Sequence, residues 1–288
     1  MSQTLDQGIQ LHAWNQGFSW SDQTDKPTHL RSECLEQFDR DGFFILENVF
    51  GGDELADVIK ELDSFEQRTD TFLQAIDGER AFIAESGAIT FSPNLVASSQ
   101  NLAEFVRHPQ LLGIARDIVG PDVNLYWEQA VYKKSEKQRR FPWHQDNGYR
   151  FVQPQAYLTC WISLTDATAD NGCPQVAPGL HRLGTLAHHY VDPLGWECFD
   201  APPVEPVMAE LGAGGIVVFS SLTPHLTGPN TTGSVRKAYI VQYAPVGAVA
   251  LEGQPPDEPT GRVLQNSPDF QFPVLRHGAA VVQRPPVR

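Results

Sequence analysis

Positive charge is what this sequence has least of: 21 Lys and Arg stand against 35 Asp and Glu in 288 residues, a formal charge of −14. That deficit argues against a nucleic-acid partner, which needs a basic footprint, and weakly against a polyanionic substrate. Cysteine is scarce as well. Cys34, Cys160, Cys173 and Cys198 are scattered without any CxxC spacing, which predicts reduced thiols in a cytoplasmic protein and neither a zinc site nor a disulfide framework. No apolar stretch approaches the roughly 20 residues that a membrane-spanning helix requires. The opening MSQTLDQGIQ has neither the cationic start nor the apolar core expected of a secretory signal. Repeats and low-complexity tracts are absent too.

What is there suits a soluble domain with a core: 41% hydrophobic and 19% charged residues. The 23 Gly and 22 Pro imply many turns and favour a loop-rich β protein. Residues 31–40 read as a helix ended by Gly42, followed by a short strand, Phe43-Phe44-Ile45-Leu46. A second helix follows Asp53, where Leu55, Val58, Ile59 and Leu62 form one apolar stripe. A third spans about 101–118 with an interruption at Pro109. From about 122 onward, strands and turns take over. Leu158, Cys160, Ile162 and Leu164 alternate with Tyr157, Thr159, Trp161 and Ser163, so one face packs and the other walls a ligand cavity. GIVVFS (215–220) and 236–243 are further strands. The expected fold is mainly β with flanking helices: a double-sheeted barrel buttressed on one side. One domain is expected, with an N-terminal arm (1–30), a mostly helical buttress (31–120), a β core (121–245) and a C-terminal extension (246–288).

Two imidazoles and a carboxylate, His144, Asp146 and His225, are the ligand set of a 2-His-1-carboxylate iron site. In an extended segment, residues two apart share a face, so His144 and Asp146 can reach one ion only if 143–146 runs as a strand into the turn at Asn147-Gly148. Taken alone, His-X-Asp is weak, and a surface turn is the bland alternative. His225, just past the buried strand GIVVFS, sits where a barrel-rim ligand would be carried. Arg236 opens the next strand with Ala238 and Ile240 on its own face, while Lys237 points toward solvent. An inward guanidinium needs an anion. Either a protein carboxylate or the planar grip on a ligand carboxylate supplies one. Three protein ligands leave further positions open on an iron.

The segments WHQD (143–146), DNGCPQVAPGLHR (170–182) and PHLTGPNTTGSVRKAYIVQY (224–243) resemble the phytanoyl-CoA dioxygenase family, as does FDRDGFFILENVF (38–50). The resemblance covers about 38–245. It implies an iron(II)- and 2-oxoglutarate-dependent oxygenase on a double-stranded β-helix (jelly-roll, cupin-like) core. Such an enzyme uses O2 and oxidises a C–H bond of a small-molecule metabolite, releasing succinate and CO2. By resemblance, His144, Asp146 and His225 are the iron ligands, Arg236 binds the distal carboxylate of 2-oxoglutarate, and Thr227 assists it. Trp161 matches an aromatic near the iron, and Gln129 is a looser co-substrate contact. Gln145 fills the variable slot of the ligand motif and is a candidate substrate contact. An intact Asp146 favours hydroxylation over halogenation. No counterpart of a coenzyme-A-binding region is evident.

Other features carry less. Phe82, Ile83 and Phe91 either line a substrate entrance or simply pack. His188-His189 with Glu197 resembles a second metal site, but adjacent side chains on an extended segment point apart. The surrounding Asp192-Pro193-Leu194-Gly195 reads as a mobile loop, with a substrate-covering lid as the alternative to a plain loop. Gly212–Gly215 precedes a strand, so it is a turn and no phosphate cradle. Lys133-Lys134 to Arg139-Arg140 reads as solvated surface. Two rivals stay open. A cupin-like metalloenzyme of non-oxidative chemistry would have no use for Arg236, and a non-catalytic small-molecule-binding barrel would not consume co-substrate.

Overall fold

The computed structural model describes residues 9–22, 27–135 and 141–282. Helix α1 (Ser32–Asp41) buries Cys34, Leu35 and Phe38 and stops at Gly42, whose φ of 83° suits the left-handed C-cap. A Cβ at Gly42 would lie 2.5 Å from Thr223 Oγ1 and 2.6 Å from His181 Nδ1, so the chain passes there only without a side chain. It then turns into the strand Phe43–Leu46. Helix α2 (Gly52–Ala75) carries Asp53 and Glu54 in its first turn, where the helix dipole favours them, and buries Leu55, Val58, Leu62, Phe65 and Leu73. The expected third helix is two: α3 (Gln100–Phe105) and α4 (Pro109–Ile118). Pro109 begins α4 because its missing N–H costs nothing in a first helical turn.

These helices cover one face of a ten-stranded antiparallel sheet. Along its main path the strands are Phe43–Leu46, Ile216–Ser220, Leu158–Ser163, Arg236–Pro245, Val123–Lys133, Ile89–Pro93, Ala84–Glu85 and Arg80–Ala81. The covered face contributes Leu158, Cys160, Ile162, Tyr239, Val241 and Tyr243 to the core shared with α1–α4. The opposite face places Phe43, Ile89, Val131, Trp161, Val217, Phe219, Ala238 and Ile240 in a second cluster with Val176 and Leu211. Val176 belongs to the small sheet Val207–Met208, Pro174–Val176, His225–Thr227, which closes over that face. Two apposed antiparallel sheets with helices on one side make the jelly-roll, as expected.

The buttress is less helical than anticipated. Ile89–Pro93 pairs with Val123–Lys133 along its whole length. Its alternation drives Ile89 and Phe91 toward the inner cluster, while Thr90 and Ser92 reach Glu66 and Thr69 of α2. The C-terminal extension is woven in as well, since Pro273–Arg276 pairs with Val123–Lys133. The described part of the N-terminal arm docks through Leu11 opposite Leu186 and through Asn15 Nδ2, which donates to the Leu183 and Thr185 carbonyls. All four cysteines are free thiols. No helix among the described residues is long and apolar enough to cross a membrane.

Candidate metal centre

The segment before Asp146 is extended and lies between two partners: Trp143 pairs with Phe199, and His144 pairs with His225. The latter pair exchange main-chain hydrogen bonds of 3.0 and 2.9 Å. Their rings consequently stand side by side, with centroids 4.4 Å apart. The chain leaves the extended form at Asp146, the first residue of a one-turn helix, Asp146–Tyr149. That is the strand-into-turn geometry anticipated, with the carboxylate on the turn itself.

Each imidazole is oriented from behind. His144 Nδ1 is 3.1 Å from the Pro142 carbonyl and His225 Nδ1 is 2.9 Å from the Thr223 carbonyl. Donating Nδ1–H to a carbonyl leaves the Nε2 lone pair for an ion. Burial, and then the neighbouring imidazole of His225, hold His144 well below the usual histidine range, so it is neutral and competent to ligate. Asp146 Oδ1 is 3.8 Å from His225 Nε2. One ligand atom from each of His144, Asp146 and His225 falls within 4.8 Å of the others. Among the described residues this is the one such group of three or more His, Cys, Asp or Glu. Two imidazoles and one carboxylate suit a divalent transition metal and leave part of its coordination sphere open.

Arg236 lies on the same inner face, fully buried, with its guanidinium carbon 5.2 Å from the centre of the Trp161 ring. Thr227 follows His225 by two on the strand His225–Thr227 and so shares its face. Gln129, half-buried, is opposite Ile240. The inner face thus brings His225, Thr227, Trp161, Gln129 and Arg236 toward one space.

Gln145 is not part of it. Its side chain is fully buried, donating to the Gly184 and Leu222 carbonyls and accepting from Leu186 N–H, which leaves no surface for a substrate. Phe82 and Phe91 line a cavity of about 550 Å³ with Phe72, Leu73 and Ile83, bordered by α2. His188 and His189 diverge as expected. His188 Nε2 accepts from Gln145 N–H at 3.0 Å, with burial lowering its pKa to about 4, whereas His189 is exposed and 3.6 Å from Glu197.

Three contributors went unread in the sequence. Lys133, expected on a solvated basic surface, is fully buried and directly opposite Arg236. Its ammonium donates to the Thr227 and Gly228 carbonyls and stands 3.3 Å from the Phe141 ring centroid, stapling the small sheet to the large one. Strand alternation put it inside. Lys134, on the other face, pairs with Glu66 and Asp70; Arg139 and Arg140 lie outside the described residues. Lys237, expected toward solvent, pairs at 2.6 Å with Asp63 of α2. Thr159 and Gln242 are the other two. Thr159 Oγ1 donates to Asp146 Oδ2 at 2.6 Å and accepts from Gln242 Nε2 at 3.1 Å. Only the inward position of Thr159 in its alternating strand hinted at this.

Comparison with known proteins gives the same direction. A profile described as phytanoyl-CoA dioxygenase matches residues 38–238. The chain is 30% identical to an ectoine dioxygenase of Bordetella bronchiseptica over 223 residues, 70% of this chain and 71% of that one. Among solved structures, EvdO2 from Micromonospora carbonacea var. aurantiaca in complex with 2-oxoglutarate matches with a TM-score of 0.62 and 25% identity, covering 81% of this chain and 98% of that one. The α-ketoglutarate-dependent carbocyclase SnoK of nogalamycin biosynthesis matches with a TM-score of 0.68 and 20% identity, covering 86% and 99%.

Proposed function

The chain belongs to the phytanoyl-CoA dioxygenase family, and from that premise we propose the roles of its individual residues and the kind of substrate it takes. It is an iron- and 2-oxoglutarate-dependent dioxygenase, an oxidoreductase that uses O2. In our reading His144, Asp146 and His225 hold the iron(II). The observation that carries this is the convergence of their three ligand atoms within 4.8 Å. Bound there, the metal would supply coordination for the keto acid and for dioxygen and so couple decarboxylation of the co-substrate to oxidation of a C–H bond.

The chain's own residues do the rest. Arg236 takes the far carboxylate of 2-oxoglutarate by a two-point grip, and the Trp161 ring beside its guanidinium keeps water from competing. Thr227 contributes a hydroxyl to the same end, and Gln129 faces the co-substrate or substrate from the neighbouring strand. Phe82 and Phe91 belong to the substrate's approach, since they line the large cavity beside α2. The substrate is a small molecule, and the ectoine dioxygenase relatives make ectoine the first compound to try. Four free cysteines favour a cytoplasmic location. We read the whole chain as one domain, because the C-terminal segment pairs with the large sheet and the described part of the N-terminal arm docks on the segment 183–186.

The test is succinate release from 2-oxoglutarate by the iron-loaded protein, with ectoine heading a panel of small metabolites. Asp146→Ala should lose iron binding and turnover together. Unchanged turnover in that variant would remove the metal assignment.

A further inference from the structure

We infer that Thr159 is a positioning residue that makes Asp146 a one-oxygen ligand, an inference that rests on the metal site proposed above. Thr159 is nearly fully buried on the strand Leu158–Ser163, directly opposite Gln242 on Arg236–Pro245. Its hydroxyl has a single proton. An ionised carboxylate only accepts, so the 2.6 Å contact requires that proton to go to Asp146 Oδ2. Gln242 must then present its NH2 group to the Thr159 oxygen, as the 3.1 Å Nε2 contact has it. The relay therefore has one direction: Gln242 to Thr159 to Asp146.

Its consequence is an asymmetric carboxylate. Oδ2 is engaged by a short, charge-assisted hydrogen bond, while Oδ1 is the oxygen 3.8 Å from His225 Nε2. The rotamer is held because Thr159 and Gln242 sit on adjacent central strands that cannot shift singly. Presenting one oxygen rather than two would leave more of a bound ion's coordination sphere open. The sequence interval between Asp146, Thr159 and Gln242 hides all of this.

The experiment uses cobalt(II) alone as the probe, titrated into the full chain and followed by calorimetry and by the cobalt absorption bands, which respond to coordination number. Thr159→Val keeps shape and loses the hydroxyl. It should bind cobalt about 10- to 100-fold more weakly with altered bands, and Thr159→Ser should restore both. Thr159→Val matching the wild type in affinity and spectrum would overturn the inference. Should Thr159→Val not fold, Gln242→Met removes the donor that fixes the relay. It should change the bands in the same sense, and unchanged bands there count equally against us. His225→Ala separates the two ideas: wild-type cobalt affinity in that variant means the metal assignment itself has failed.

Discussion

His144 and His225 face each other as a directly paired couple of extended residues, each donating its N–H to the other's carbonyl. The spacing of the two backbone positions that carry these imidazoles is thereby set by main-chain hydrogen bonding, and the Nδ1 contacts to the Pro142 and Thr223 carbonyls orient the rings. Behind them His188 holds the intervening turn by accepting from Gln145 N–H. Ligand geometry in this protein is a property of the backbone, with side-chain hydrogen bonds trimming it.

That arrangement gives Gly148 an unexpected weight. A Cβ there would lie 2.1 to 2.5 Å from three atoms of the His188 ring. Gly148→Ala should therefore push His188 away from Gln145 and disturb the one-turn helix carrying Asp146. Overpacking of this kind costs about 1–3 kcal/mol, so a lower melting temperature and weaker metal binding are expected together. A variant as stable and as tightly metal-bound as the wild type would show that the ring moves aside freely.

Arg236 is proposed as the anchor for 2-oxoglutarate, and on that proposal its loss should register as lost co-substrate affinity. Truncating one partner of a buried charge pair costs on the order of 2–5 kcal/mol. The dissociation constant of 2-oxoglutarate for Arg236→Ala, read by calorimetry on metal-loaded protein, should rise by well over tenfold. An unaltered constant would move the anchor elsewhere. Metal affinity serves as the control, since Arg236 is not a ligand.

Glu128 provides a pH dependence. Burial lifts its carboxyl from 4.5 to about 7, against hydrogen bonds from Tyr239 Oη and Val96 N–H that favour the charge. The folded state thus holds this proton more tightly than the unfolded chain does. Its contribution to stability is fully present below about pH 4.5 and is lost as pH rises through about 7. The shift corresponds to a loss on the order of 3 kcal/mol. Glu128→Gln cannot titrate, so its unfolding free energy relative to wild type should improve between pH 5 and pH 8. A difference that stays constant across that range would contradict this.

Much of the site was legible before folding. His144, Asp146, His225 and Arg236 are scarce chemical types at informative places, and the alternation around Trp161 correctly separated the packed face from the inner one. α1, α2 and the break at Pro109 followed from apolar spacing and proline's missing donor. Lys133 was misread because a lysine in a basic run is ordinarily solvated, and only its pairing opposite Arg236 turns it inward. Gln145 was placed at the substrate because it lies between two ligands. In an extended segment, however, the middle residue points the opposite way, into the bracket formed by Gly184, Leu186 and Leu222.

By itself, then, the sequence determined which side chains are available for chemistry and which local shapes carry them, since periodicity, helix caps and residue type act over a few positions. The tertiary structure alone decided which distant residues meet. Thr159 with Asp146 and Gln242, Lys133 with Thr227, and His188 with Gln145 are pairings set by strand register and sheet apposition. Those depend on the packing of the entire core, and no local pattern encodes them.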